Sequence, residues 1–135
     1  MPKNLLSNLV YSLSMEEIGI NSELVEEIRK GNKYIEGRLG KPRFLKMKEG
    51  DTVSIRSDLW QNGKIIDSSP YAIGIKITQI LYFETFSEMM NAVDHKGAVP
   101  SAKTADEAVK TYREFYTVED EKEYGVVALF FEPIL

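Results

Sequence analysis

From residue 21 onward the apolar and polar positions follow two periods, and each stretch predicts its own element. Leu24, Val25 and Ile28 form an apolar stripe at helical spacing. Asn21 or Ser22 can cap this helix, Glu23, Glu26 and Glu27 suit its N-terminal dipole, and Arg29 and Lys30 fall in its last turn. Gly31 is placed to end it in a left-handed conformation. Tyr34 to Leu39 then alternates, with Ile35, Gly37 and Leu39 on one face and Tyr34, Glu36 and Arg38 on the other, and Pro42 closes the strand. Thr52 to Arg56 alternates again, with Val53 and Ile55 facing inward.

Asn62-Gly63 marks a turn, Lys64 to Ile66 a short hairpin arm, and Asp67-Ser68-Ser69-Pro70 a loop. Ala72 to Leu81 is the longest strand candidate, with Gly74 expected at a bulge or a close backbone approach. Phe83, Phe86, Met89, Met90 and Val93 recur at helical spacing. Thr104 and Glu107 form a capping pair ahead of the stripe Ala105, Ala108, Val109, Tyr112 and Phe115 or Tyr116. Gly125 to Phe131 is continuously apolar and rich in β-formers, which predicts a strand buried on both faces. Strands and helices in this order make an α+β domain with about five or six strands, curled into a small mixed β-barrel flanked by about three helices.

Composition narrows the chemistry. A chain of 135 residues supports one domain spanning 1–135. It has no Cys, which excludes disulfides, thiolate metal sites and Cys nucleophiles, and the single His95 excludes a multi-His site. No metal or cofactor is therefore expected. The run around Leu5-Leu6 and Leu9-Val10-Tyr11 lacks the features of a secretory signal, and no stretch reaches 18 consecutive apolar residues. A cytoplasmic protein without a membrane partner is the expectation.

The net charge of −4 conceals a segregation. Between Arg29 and Lys64 lie ten basic and four acidic residues, an excess of +6, against −10 for the rest of the chain. An acidic protein with one basic segment suits a focused anion-binding face better than bulk coating of nucleic acid, although Lys41 to Lys48 also reads as a solvated loop. Glu119, Asp120, Glu121 and Glu123 lack calcium-loop spacing and read as a solvated turn.

Within the basic segment, Gly31-Asn32-Lys33-Tyr34-Ile35-Glu36-Gly37-Arg38 spells GxKxxExR at a helix-to-strand junction, and Gly50-Asp51 follows. Tyr82-Phe83-Glu84-Thr85-Phe86 ahead of a Met-rich helix, Arg113-Glu114-Phe115-Tyr116, and Tyr124-Gly125-Val126-Val127 continue the pattern. Over about residues 15–132 the chain resembles the ASCH domain family, related to the PUA-like RNA-binding fold. The resemblance implies a PUA-like barrel whose cleft holds Lys33, Glu36 and Arg38. It also implies a ligand among RNA, nucleotides and modified nucleosides. The spacing agrees, because Glu36 and Arg38 share a strand face and Lys33 lies in the turn just before them. Tyr34, Arg43, Arg56, Trp60 and Tyr116 are further ligand-binding candidates, the aromatics by stacking on bases.

Tyr71 and Tyr82 are weaker stacking candidates, and Tyr112 belongs to a core stripe. One branch of the family hydrolyses acetylated cytidine with a Lys, a Thr and a Glu. Lys33 matches the Lys, Glu36 occupies the Thr position, and no acid lies between Gly97 and Lys103. Two alternatives to a binding domain stay open. One is a small hydrolase, an amidohydrolase on a modified nucleoside or a ribonuclease, with Lys33 and Glu36 as catalytic residues. The other is a non-catalytic protein-interaction module.

Overall fold

The computed structural model describes residues 16–134; the Leu5–Tyr11 run lies outside them. Five strands form one sheet: β1 (Glu16–Asn21), β2 (Ile35–Leu39), β3 (Thr52–Gln61), β4 (Lys64–Phe83) and β5 (Val126–Ile134). Six helices occur among the described residues: α1 (Ser22–Arg29), α2 (Pro42–Leu45), α3 (Phe86–Ala92), α4 (His95–Ala98), α5 (Ala105–Arg113) and α6 (Val118–Tyr124). The fold is α+β, as expected, with twice the expected number of helices. None of these helices is long and apolar enough to cross a membrane.

The strand order is β1-β3-β4-β5-β2, with β1 parallel to β3 and the other pairs antiparallel. The expected barrel is not closed by backbone pairing, for β1 and β2 are the two edges of an open sheet among the described residues. Two apolar clusters cover the sheet's faces. One gathers Ile18, Ile20, Val25, Ile28, Phe44, Val53, Ile55, Ile75 and Ile77, and the other joins Ile35 and Leu39 to Phe86, Met89, Met90, Ala108 and Tyr112. Strand β5 lies between them, sending Val127, Leu129 and Phe131 to the first and Val126 and Ala128 to the second. That double burial accounts for its unbroken apolar sequence.

The helix-terminal signals act locally as their chemistry requires. The Asn21 Oδ1 accepts from the Glu23 N–H at 3.0 Å, and Gly31 takes φ +81° after α1. Thr85 and Thr104 accept from the backbone N–H of Glu88 and Glu107. Phe83 ends β4 rather than starting α3, because the Thr85 cap sets the helix start after it.

Further expectations are corrected. Residues 67–70 lie in β4, with Asp67, Ser68 and Ser69 opposite Leu59, Asp58 and Ser57, so the hairpin continues through the expected loop. The β3–β4 pairing is irregular at two places, between the Ile55–Ile73 and Ser57–Ser69 pairs, where Tyr71 has φ +54°, and between the Leu59–Asp67 and Trp60–Ile65 pairs; Gly74 stays in register. The acidic run forms α6, begun by a Thr117–Asp120 capping box, and Glu121 is buried, accepting from Phe86 N and Arg113. The Lys41–Lys48 stretch contains α2, started by Pro42 at its first turn and anchored by buried Phe44.

Candidate functional site

The turn after α1 fixes the first residue of the motif. The backbone N–H groups of Asn32 and Lys33 both donate to Glu27 O, at 2.9 and 3.1 Å, so Lys33 leaves the helix in one defined direction. Its side chain runs inward and is 1% exposed. The ammonium donates to Ile35 O and Ala98 O, both at 2.6 Å, and to Glu36 Oε1 at 3.3 Å. Three donors thus meet three acceptors. Burial lowers the Lys33 pKa, and the charge and hydrogen bond of Glu36 oppose that shift.

Glu36 is the centre of the network. Its Oε1 also accepts from the Tyr112 hydroxyl at 2.7 Å, and its Oε2 accepts from Arg38 Nη2 at 2.9 Å. Burial alone would raise its pKa. The charges of Lys33 and Arg38, with hydrogen bonds from Tyr112 and Arg38, instead hold the carboxyl at about 2. The Tyr112 phenol is pushed well up by burial and by the Glu36 charge, so it keeps its proton to donate, while accepting from Gly37 N at 3.1 Å. Tyr112 stacks on Phe86, which stacks in turn on Tyr116, at 4.9 and 5.3 Å between ring centroids.

Arg38 reaches across the open side of the sheet. Its Nη2 donates to Gly19 O at 2.7 Å, tying edge strand β2 to edge strand β1 through a side chain. Burial raises the pKa of the Tyr116 phenol, and the charge of Arg38 opposes that shift. A second ion-pair system stands on β1 and β3. Arg56 donates to both carboxylate oxygens of Asp58 at 2.7 and 2.9 Å and to Glu17 at 3.0 Å, and Ser68 donates to Asp58. Gly19 gives this pair its room, since a Cβ there would push the Arg56 guanidinium and the Asp58 carboxylate aside.

Between these systems lies a cleft of about 680 Å³. Glu36, Gly37 and Arg38 line it with Arg43, Arg56, Asp58, Glu16 and Glu17. Trp60 and Ile65 of the β3–β4 hairpin, together with Tyr112, Phe115 and Tyr116, supply its apolar lining. Trp60 meets Phe115 edge-on at 5.9 Å, and Arg43 donates to Glu17 O while lying 4.7 Å from the Phe44 ring centre.

The fold therefore brings together Glu36, Arg38, Arg43, Arg56, Trp60 and Tyr116. Lys33 is packed behind Glu36 and is absent from the cleft lining. Tyr34 is also outside it, its hydroxyl donating to Asp94 at 2.6 Å while its ring packs over Gly97. Tyr71 and Tyr82 are exposed away from the cleft. Phe115, read from spacing as core, is exposed at the cleft rim because α5 ends at Arg113 and the stripe's register ends with it. The acids Glu16, Glu17 and Asp58 had no motif to mark them, and only Arg56, two residues before Asp58 on one strand, hinted at a pair. Among the described residues no three His, Asp or Glu side chains gather as a metal site.

An α+β domain with a mixed open sheet and a charged cleft at its seam defines the class of protein. The ASCH domain profile matches residues 18–135, and the chain belongs to the ASCH domain family. It is similar to the crystal structure of hypothetical protein PH0355, with 35% identity, TM-score 0.74, and 89% of this chain and 99% of that one covered. The solution structure of PF0455 from Pyrococcus furiosus matches at 31% identity and TM-score 0.67, over 89% and 97% of the two chains. A point mutant of the ZmASCH protein from Zymomonas mobilis shares the fold at 15% identity and TM-score 0.52, over 88% and 71%. No curated protein matches the chain.

Proposed function

We propose that this ASCH domain binds one nucleobase, carried by a nucleoside, a nucleotide or RNA, in the cleft between β1 and β2. The observation that carries this reading is the pairing of Glu36 and Arg38 side by side in a cleft whose lining also includes the aromatic rings of Trp60, Phe115 and Tyr116. A base needs what this pair supplies. An ionised carboxylate accepts from an amino or imino edge, and a guanidinium donates to a ring nitrogen or carbonyl. Trp60 and Tyr116 offer π-faces or edges to the ring, and stacking is worth roughly 1–3 kcal/mol per base.

Lys33 serves as a positioning residue, neutralising and orienting Glu36 from behind. Charge favours the base rather than a phosphate inside the cleft. Arg38, Arg43 and Arg56 there face Glu16, Glu17, Glu36 and Asp58, leaving no positive excess. A hydrolase using Lys33 and Glu36 has weaker support. The Lys33 ammonium is committed to three acceptors, and a carboxyl with a pKa of about 2 is a poor proton acceptor at neutral pH.

The lone tryptophan makes the test direct. Titrating the protein with the common nucleosides and their monophosphates should quench or shift Trp60 fluorescence with saturable affinity. Glu36→Gln should weaken binding by at least tenfold, in keeping with about 1.5–3 kcal/mol for a hydrogen bond to a charged group. Lys122→Ala should not. Calorimetry that detects no nucleoside or nucleotide binding by the wild type would reject the reading.

A further inference from the structure

Ion pairing separates the cations of this protein. Arg29, Lys30, Lys33, Arg38, Arg56 and Arg113 each have a carboxylate within ion-pair distance. Lys41, Arg43, Lys46 and Lys48 have none among the described residues, and all four are exposed. They fall within eight consecutive residues that contain no acid, in a protein of net charge −4. The segment is held in place while its charges stay in water: α2 begins at Pro42, Phe44 and Met47 are buried, and Asp51 accepts from Lys48 N at 2.9 Å. Arg43 links the two regions, since it belongs to this set and also lines the cleft.

Lys64, Lys76, Lys96, Lys103, Lys110 and Lys122 also lack an ion pair but are scattered along the chain. The one concentrated run of unneutralised positive charge among the described residues therefore begins at the cleft edge with Arg43 and extends beside it. We propose that Lys41–Lys48 is a phosphate track: when the cleft holds a base, the backbone of the same single strand leaves past Arg43 and runs over α2. This rests on the cleft reading above and makes the preferred ligand a single-stranded oligonucleotide rather than a free nucleoside. A strand uses both regions at once, base in the cleft and phosphates on the lysines. An acidic peptide would use the lysines alone and leave the aromatic cleft empty, so nucleic acid fits the combination better.

The experiment compares a monophosphate with a single-stranded RNA of about ten nucleotides, a length within the range of about 4–16 nucleotides covered by single-strand-binding domains. Fluorescence anisotropy would be measured from about 50 to 200 mM salt, for the wild type and for Lys41→Ala/Lys46→Ala/Lys48→Ala. Three lost single-strand phosphate contacts should flatten the slope of log K against log salt by about 2. Over that fourfold salt range the wild type should lose about twentyfold more affinity for the RNA than the triple variant does. The monophosphate should bind both proteins equally, and Lys76→Ala/Lys103→Ala/Lys122→Ala should match the wild type throughout.

An unchanged RNA affinity and slope in the Lys41/Lys46/Lys48 variant, with monophosphate binding intact, overturns the track and leaves the cleft reading standing. Failure of the wild type to bind the monophosphate while RNA still binds the lysines overturns the cleft reading. Competition by polyglutamate as strong as by RNA, at equal charge, overturns nucleic acid as the partner.

Discussion

Glu36 shows how one side chain couples stability to the site. Its carboxyl has a pKa of about 2 in the folded protein, against an ordinary value of 4.5. The depression means that the folded state favours the ionised form, so the stabilisation is fully present above about pH 4.5 and is lost as pH falls toward 2. The difference corresponds to about 3 kcal/mol. Urea midpoints measured across that window should fall steeply for the wild type, and Glu36→Gln, lower at neutral pH, should show a flatter acid limb. Equal acid limbs would mean that other carboxyls control the fall. At this scale the sequence was partly legible. The spacing put Glu36 and Arg38 on one face, and they are in contact at 2.9 Å. It could not reveal that Lys33 turns inward, because that depends on two backbone oxygens, one of them on Ala98 sixty-five residues away.

At the scale of elements, the β3–β4 hairpin departs furthest from its sequence pattern. Beyond the Asn21–Asp58 pair it leaves β1 behind, and β5 reaches only as far as Gly74, so residues 59–71 form a two-stranded arm. Every residue of that arm is exposed, which is why alternation did not mark its length: with no buried face there is no period to detect, and the turn residues alone pointed to the short arm at Lys64 to Ile66. The turn at its tip was legible, since Asn62 and Gly63 take φ +53° and +74°, the paired positive angles of a type I′ turn. Trp60 against Phe115 joins the arm to the helical side. An isolated two-stranded hairpin is marginally stable in water. Amide exchange should therefore be much faster for residues 59–71 than for 52–57 or 73–83, and a cleft ligand touching Trp60 should slow the arm selectively. Equal protection along all of β4 would show the arm to be as rigid as the sheet.

Over the whole molecule, the order β1-β3-β4-β5-β2 leaves a seam, and the candidate site residues other than Lys33 and Tyr34 line it. Apolar periodicity identified most strands and the two-faced burial of β5, but not which strands end as edges, because edge and central strands differ in partners rather than in pattern. β1 itself was missed, its Ile18 and Ile20 falling ahead of the first recognised helix. At the seam the hydrogen bond from Arg38 to Gly19 O substitutes for backbone pairing, and the same guanidinium holds Glu36. Removing it should act on both. Arg38→Met keeps the apolar stem but loses these donors, leaving Glu36 with Lys33 and Tyr112 alone and Gly19 O without its bond. Breaking one partner of a buried pair typically costs about 3–5 kcal/mol, and the partial exposure of this one places the expected loss just below that range, at about 2–3 kcal/mol. The loss should be uneven. Amides of β1 around Gly19 should exchange faster while those of β5, packed on both faces, keep their relative protection. Arg38→Lys should recover only part of the stability: both bonds leave one nitrogen, Nη2, which a lysine Nζ can imitate, but the ammonium is more strongly hydrated than the guanidinium and sits on a stem of different length. Uniform acceleration across all five strands would instead mean that the seam opens only with the whole fold, and that Arg38 is a general stabiliser rather than its latch.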